Sequence, residues 1–208
     1  MKEKGSKILF TTKIKEAIKP SGQLKQRLNV AVRRIRSKIQ SMDKALERFS
    51  KRDKAIFRRI VKLYSTHDTL RASVLANELA EIRKVEKMLM QAKLALESIS
   101  LRLKTVSELG DIVTVLTPAV SVLNNIKSSI TDIVPEADKE LGDVGKLLTE
   151  IVSSTSQTTG LPVNFEAANE EAAKILEEAA SVAEQRIKKK LPELPAEASV
   201  KEKVKLKT

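Results

Sequence analysis

Apolar residues in the first half of the chain recur at alternating intervals of three and four. They run through Leu28, Val32, Ile35, Ile39, Met42, Leu46, Phe49, Ile56, Ile60 and Leu63, and Asp53 takes one slot where an apolar side chain is due. This spacing lines up one stripe on a helix and persists for about five heptads. Ser21, directly after Pro20, is placed to cap its start. The stripe lapses across residues 64–69, YSTHDT, whose hydroxyl and carboxylate side chains suit a turn. A second stripe follows at Leu75, Leu79, Ile82, Val85, Leu89, Ala92, Leu96, Ile99, Leu103 and Val106. Two long stripes around a short break predict an antiparallel helical hairpin over about 21–109, each arm about 40 residues and roughly 60 Å long.

Beyond Gly110 the predicted helices shorten. One is expected near 111–133, ended by Pro135, and one near 136–152, completing a helical core over 21–152. Residues 153–164, SSTSQTTGLPVN, read as a polar linker. Residues 165–190 form an Ala/Glu-rich acidic helix whose early glutamates and late Lys188–Lys190 suit the helix dipole. A segment before residue 21 and a tail over 191–208 flank this core. The fold class is all-α and elongated, an extended rod and not a globule.

Composition agrees. Aromatics make up 2% of the 208 residues, Trp is absent, and six glycines and six prolines leave little turn material. Without Cys there are no disulfides or thiolate metal sites, and a reducing compartment fits. With one His and no Gly-rich phosphate loop, catalysis has little to work with. We expect no enzyme, no cofactor and no small-molecule substrate, and read His67 as a loop histidine. The N-terminus has no apolar h-region, and IVTVLTPAVSVL at 112–123 falls short of the roughly 18 apolar residues of a membrane span. A soluble cytoplasmic protein is expected.

Charge adds a partner. Residues 1–71 hold 21 Lys/Arg against 6 Asp/Glu, a net +15, whereas residues 136–185 hold 3 against 11, a net −8. A basic front calls for an anionic partner, and the acidic rear is able to fold back on it. On the first helix Arg27, Arg34, Lys38, Arg48, Arg52 and Arg59 fall within about 80° of one another, an acid-free anion-binding stripe. Lipid and nucleic-acid phosphates both suit it. Nucleic-acid readers add stacking aromatics or a compact recognition element, and neither is visible, which favours an anionic membrane. A nucleic-acid-associated basic coiled-coil protein is the alternative.

Two flanking segments carry further candidates. In residues 1–20, Ile8, Leu9, Phe10, Ile14 and Ile18 gather near one helical face with lysines around them, the pattern of a short helix lying in a lipid headgroup region. Packing back on the hairpin is the other use of such a face. Near the other end, KKKLPELP stops a helix, and its three-residue period does more. In a polyproline II conformation Leu191 stacks over Leu194 and Pro192 over Pro195 while Glu193 points elsewhere, giving an apolar strip suited to a groove between helices.

Together, the basic first helix, the run VLANELAEIRKVEKMLMQAKLALESISLRLKTV at 74–106, the shorter helices after it and KKKLPELP resemble the archaeal ESCRT-III proteins of the cell-division protein B (CdvB) type. In that family Leu-Pro-x-Leu-Pro is the type 2 MIT-interacting motif. The resemblance therefore implies that Leu191, Pro192, Glu193, Leu194 and Pro195 dock on the MIT domain of the AAA ATPase CdvC. It also implies a subunit that polymerises with itself and with paralogs on the cytoplasmic membrane face at the division site. Such filaments constrict membranes in division and vesicle budding and are remodelled by the ATPase, with subunits switching between closed and open forms. Thirteen residues follow Pro195, whereas the longer archaeal member continues into a winged-helix domain that binds the membrane recruiter CdvA. The chain thus resembles a shorter paralog without that domain.

Overall fold

The computed structural model describes residues 22–106 and 109–191 and, within them, leaves aside the side chains of residues 109, 110 and 136–138. Five helices account for almost all of these residues: α1 Gly22–Ser65, α2 Thr69–Thr105, α3 Leu109–Ile130, α4 Pro135–Thr159 and α5 Phe165–Lys190. The fold is all-α, and α1 with α2 forms the long antiparallel hairpin that the two apolar stripes predict. At 1.5 Å per residue the 44 residues of α1 extend about 66 Å.

The hairpin turn follows from local chemistry. Asp68 caps α2 by accepting a bond of 3.2 Å from the Arg71 N–H. His67 takes a left-handed conformation with φ 59 and is exposed, which makes it a turn residue as expected. At the other end α2 stops at Thr105, with Val106 extended. The chain therefore breaks ahead of Gly110, which lies inside α3. Val106 is β-branched, and such residues favour the extended backbone that it adopts after the last turn of α2.

Helices α3 and α4 pack on each other and along the half of the hairpin away from its turn, and α5 lies across α2 and α3. The principal core joins Leu28, Ile35 and Met42 of α1, Leu96 and Ile99 of α2, Leu116 and Leu123 of α3, Leu148 and Ile151 of α4, and Ile175 of α5. Nearer the turn a second, smaller core holds Ile56, Ile60, Leu79 and Ile82. Between the two, buried Asp53 and Glu86 give the seam a polar stretch beside Ala45 and Leu89.

The linker expected at 153–164 is shorter than its composition suggests. Residues 153–159 continue α4, because Ile151, Val152 and Thr155 keep its apolar face buried. Their neighbours' hydroxyls donate to carbonyls one turn back, from Ser154 to Ile151 at 3.0 Å and from Thr158 to Ser154 at 2.8 Å. Gly160, with φ 68, ends the helix, and Asn164 caps α5 by accepting from the Ala167 N–H at 3.1 Å. Only residues 160–164 are non-helical here.

Candidate interaction surfaces

The six cations of the predicted stripe meet different fates. Arg34, Arg48 and Arg59 are exposed and have no ion-pair partner among the described residues. Arg27 donates to Glu150 of α4 at 2.8 Å, and Arg52 donates to Glu78 of α2 at 2.6 Å. Lys38 corrects the expectation of a free stripe: it is buried at 5% exposure, and its Nζ meets Glu140 of α4 at 2.7 Å. The 100° construction places residues on the helix but does not register where α4 will lie. Arg33, Arg36 and Lys44, which the stripe omits, are exposed and add to the free positive surface. Their signal in the sequence is the density of Arg in VRRIRSK.

The hairpin turn adds a feature that the stripes conceal. Leu70 is 79% and Val74 64% exposed, with Val61 nearby in sequence at 46%. A groove of about 530 Å³ runs beside them, lined by Leu63, Val74 and Leu75 and by the cations Arg59, Lys62 and Arg71. The tip is thus apolar and basic at once.

The acidic rear does fold back. Glu140 and Glu150 of α4 meet Lys38 and Arg27 as described. On α5, Glu184 accepts from Lys87 at 3.0 Å and Glu171 from Arg102 at 2.6 Å. Lys188, one turn along, also bonds Glu184, and the two lysines hold its carboxyl down at about 2. Beneath these bonds α5 docks through a face of small residues: Ala168, Ala172, Ile175, Ala179 and Ala183 are all buried. Spaced by three and four, they let the α5 backbone approach α2 and α3 closely. Their signal was present in EAANEEAAKILEEAASVA, where the alanines avoid the glutamate face.

The polar seam lies on the inner side of the hairpin. Asp53, wholly buried, accepts a 2.7 Å bond from the Arg83 Nε. Its second oxygen and Arg83 Nη2 have no hydrogen-bond partner. One turn on from Arg83, Glu86 is buried at 5% exposure. Loss of water pushes its carboxyl up to about 7, the charge of Asp53 adds to this, and Arg83, Lys190 and Lys54 oppose it.

Leu191 ends α5 with its N–H donated to the Ile187 carbonyl at 3.0 Å and is half-buried against a cavity of about 690 Å³. Pro192, Glu193, Leu194 and Pro195 lie outside the described residues, as do Ile8, Leu9, Phe10, Ile14 and Ile18. Among the described residues no helix is long and apolar enough to cross a membrane, and no cluster of His, Asp and Glu could hold a metal ion.

The Lys38–Glu140 pair gives a first expectation. Glu140→Ala leaves a buried ammonium without its partner and is expected to lower unfolding stability by about 1–2 kcal/mol, since the carboxylate itself is half-exposed. Urea titration followed by circular dichroism checks this, with Lys146→Ala, at an exposed position on the same helix, as the comparison.

Comparison with known proteins supplies the lineage. The Snf7 family profile matches residues 30–199. Cell division protein B1 of Sulfolobus acidocaldarius is 45% identical over 178 residues, covering 86% of this chain and 83% of that protein. Cell division protein B of the same organism is 34% identical over 157 residues, covering 74% of this chain and 59% of that protein. No solved structure matches the chain.

Proposed function

Because the chain belongs to the Snf7 family, the ESCRT-III proteins, we propose that it is a cell-division ESCRT-III subunit that assembles with itself and with paralogs into filaments on anionic membrane. Members of this family are structural polymer proteins and not enzymes. The names of the two relatives, both cell division proteins, support the division role. The single observation that carries the membrane reading is the unequal use of charge on the hairpin. Cations that face α4 and α5 are neutralised by glutamates, whereas Arg34, Arg48 and Arg59 keep free guanidinium groups. Phosphate groups recognise such donors, and a long helix presents several to one flat surface at once.

In this reading the described arrangement is the closed form. Opening frees α5 and its glutamates from the hairpin and turns the vacated face towards a neighbouring subunit. Residues 8–18 insert shallowly in the headgroup region, and residues 191–195 engage the MIT domain of an AAA ATPase of the CdvC type, which extracts subunits. Constriction and scission at the cytoplasmic face of the division site follow from repeated assembly and extraction.

Sedimentation with anionic and neutral vesicles, followed by electron microscopy of the pellets, tests the reading. Pelleting with anionic vesicles is expected to weaken by tenfold or more between low and physiological salt, because the exposed contacts are screened. Phe10→Asp and Ile14→Asp should weaken it further, and Leu191→Asp or Leu194→Asp should abolish binding to the MIT domain while vesicle binding persists. Equal binding to neutral vesicles, or preference for duplex DNA at physiological salt, would sink the membrane assignment.

A further inference from the structure

Leu70 and Val74 are apolar side chains that the packing of the hairpin leaves in water. They stand one turn apart at the start of α2, 79% and 64% exposed, and so project together from the end of the rod. The groove of about 530 Å³ beside them is lined by apolar Leu63, Val74 and Leu75 and by the cations Arg59, Lys62 and Arg71. Arg59 and Lys62 are exposed and have no ion-pair partner among the described residues. The acids that neighbour the groove in sequence are both engaged. Asp68 caps α2 and meets Arg71 across a loose 3.5 Å, and Glu78 holds Arg52 at 2.6 Å.

The groove's place on the hairpin narrows what can fill it. At 100° per residue, Arg59, Lys62 and Leu63 lie on one flank of α1, and Arg71, Val74 and Leu75 on the matching flank of α2. Lys87 and Arg102, which bond α5, fall on the other flank of α2. Asp43 and Leu46, which line the cavity beside Leu191 at the end of α5, likewise fall on the other flank of α1. The docked α5 of the same chain therefore does not cover the groove. Arg34 and Arg48, the other free arginines of the predicted stripe, share the flank of Arg59. A stable protein interface buries roughly 800 Å² on each partner, far more than two side chains at a tip supply. A lipid surface asks for less, because apolar groups at the headgroup boundary add to charge contacts made elsewhere along the rod. Long basic side chains reach from that boundary to the phosphates while their apolar neighbours lie deeper.

We propose that the hairpin tip is a lipid contact in its own right, at which Leu70 and Val74 enter the headgroup region of an anionic membrane and Arg59, Lys62 and Arg71 bind its phosphates. The proposal rests on the membrane reading above and deepens it, since it names the end of the rod that is set into the lipid.

The chain has no Trp, so a single introduced indole reports on its own site. The full chain carrying Leu70→Trp is mixed with vesicles of phosphatidylglycerol and phosphatidylcholine. Its emission should move to shorter wavelength, and should be quenched when the phosphatidylcholine carries bromine high on its acyl chains. Val182→Trp, at an exposed site on α5, should show neither change. Leu70→Asp sits where no packing is lost, and it should weaken vesicle affinity by roughly tenfold, about what returning one leucine to water costs. Lys62→Glu with Arg71→Glu should weaken it as well, with helicity by circular dichroism unchanged in both variants. Pelleting of the Leu70→Trp chain without bromine quenching overturns the tip contact and leaves the membrane reading standing. Equal quenching at positions 70 and 182 also overturns it. So does a shift that appears without vesicles as protein concentration rises, which marks a second copy as the occupant. Absence of pelleting altogether sinks both readings.

Discussion

Asp53→Ala is expected to cost about 3 kcal/mol of unfolding free energy, at the low end of what is lost when one partner of a buried ion pair is removed. Asp53 has no exposure at all, and Arg83 keeps most of its side chain inside the hairpin. Deleting the carboxylate strands a guanidinium whose Nη2 already lacks a partner. The loss stays at the low end because Glu86, one turn away on the same helix, becomes the nearest acid to that charge. Its ionisation then becomes easier, because the negative charge of Asp53 beside it is gone. Asp53→Leu combined with Arg83→Leu removes both buried charges and is expected to recover stability to wild type or above. Urea titration of the two single variants and the double variant forms a cycle that isolates the pair. A loss below 1 kcal/mol for Asp53→Ala would show that water reaches this part of the hairpin.

Ile175→Asp is the second large effect. Ile175 is 2% exposed at the centre of the alanine face by which α5 lies on α2 and α3. Losing this side chain forfeits about 2–4 kcal/mol of burial and packing, and a carboxylate in its place adds a charge that needs water. The bonds from Lys87 and Arg102 to α5 are half-exposed and together cannot offset that amount. We expect α5 to leave the hairpin while α1–α4 stay folded, because the principal core lies mainly among those four helices. Hydrogen exchange should show α5 protection reduced more than a hundredfold, with protection in the middle of α1 little changed. In the filament reading the variant should also pellet with anionic vesicles at lower protein concentration. Unchanged α5 protection would mean that the alanine face is not what holds the helix.

What the sequence could and could not reveal divides along physical lines. Apolar periodicity reports which face of a helix is buried, so the stripes through Ile35 and Leu96 and the alanines of α5 were legible. It is silent on what does the burying. Lys38 therefore looked like a free cation, although α4 covers it and supplies Glu140. Asp53 was visible as an anomaly because it interrupts the repeat, but its partner Arg83 sits on another helix at a register that only packing sets. Glu86 gave no signal, since a glutamate at that spacing on α2 reads as part of a solvated face. Composition misled at 153–159, where Ser and Thr read as a linker; their hydroxyls bond within the helix once an apolar face anchors it. Net charge anticipated the fold-back of the acidic rear but not its addresses, because Lys87 and Arg102 lie on the second arm of the hairpin. The anion-binding assignments of Arg34, Arg48 and Arg59 and the roles of residues 8–18 and 191–195 rest on the experiments above.

The five residues between α4 and α5 set the terms on which α5 competes for its place. Fully extended they reach about 17 Å, so an undocked α5 cannot drift far from the groove it left. A short tether of this kind keeps the helix at an effective concentration in the millimolar range. A helix from a free subunit in dilute solution loses that contest. One held alongside at comparable density, as on a crowded surface or in a growing row of subunits, meets α5 on equal terms. In the filament reading, the shortness of the connector would thus confine exchange of helices between copies to the assembled array and favour the closed form in solitary subunits.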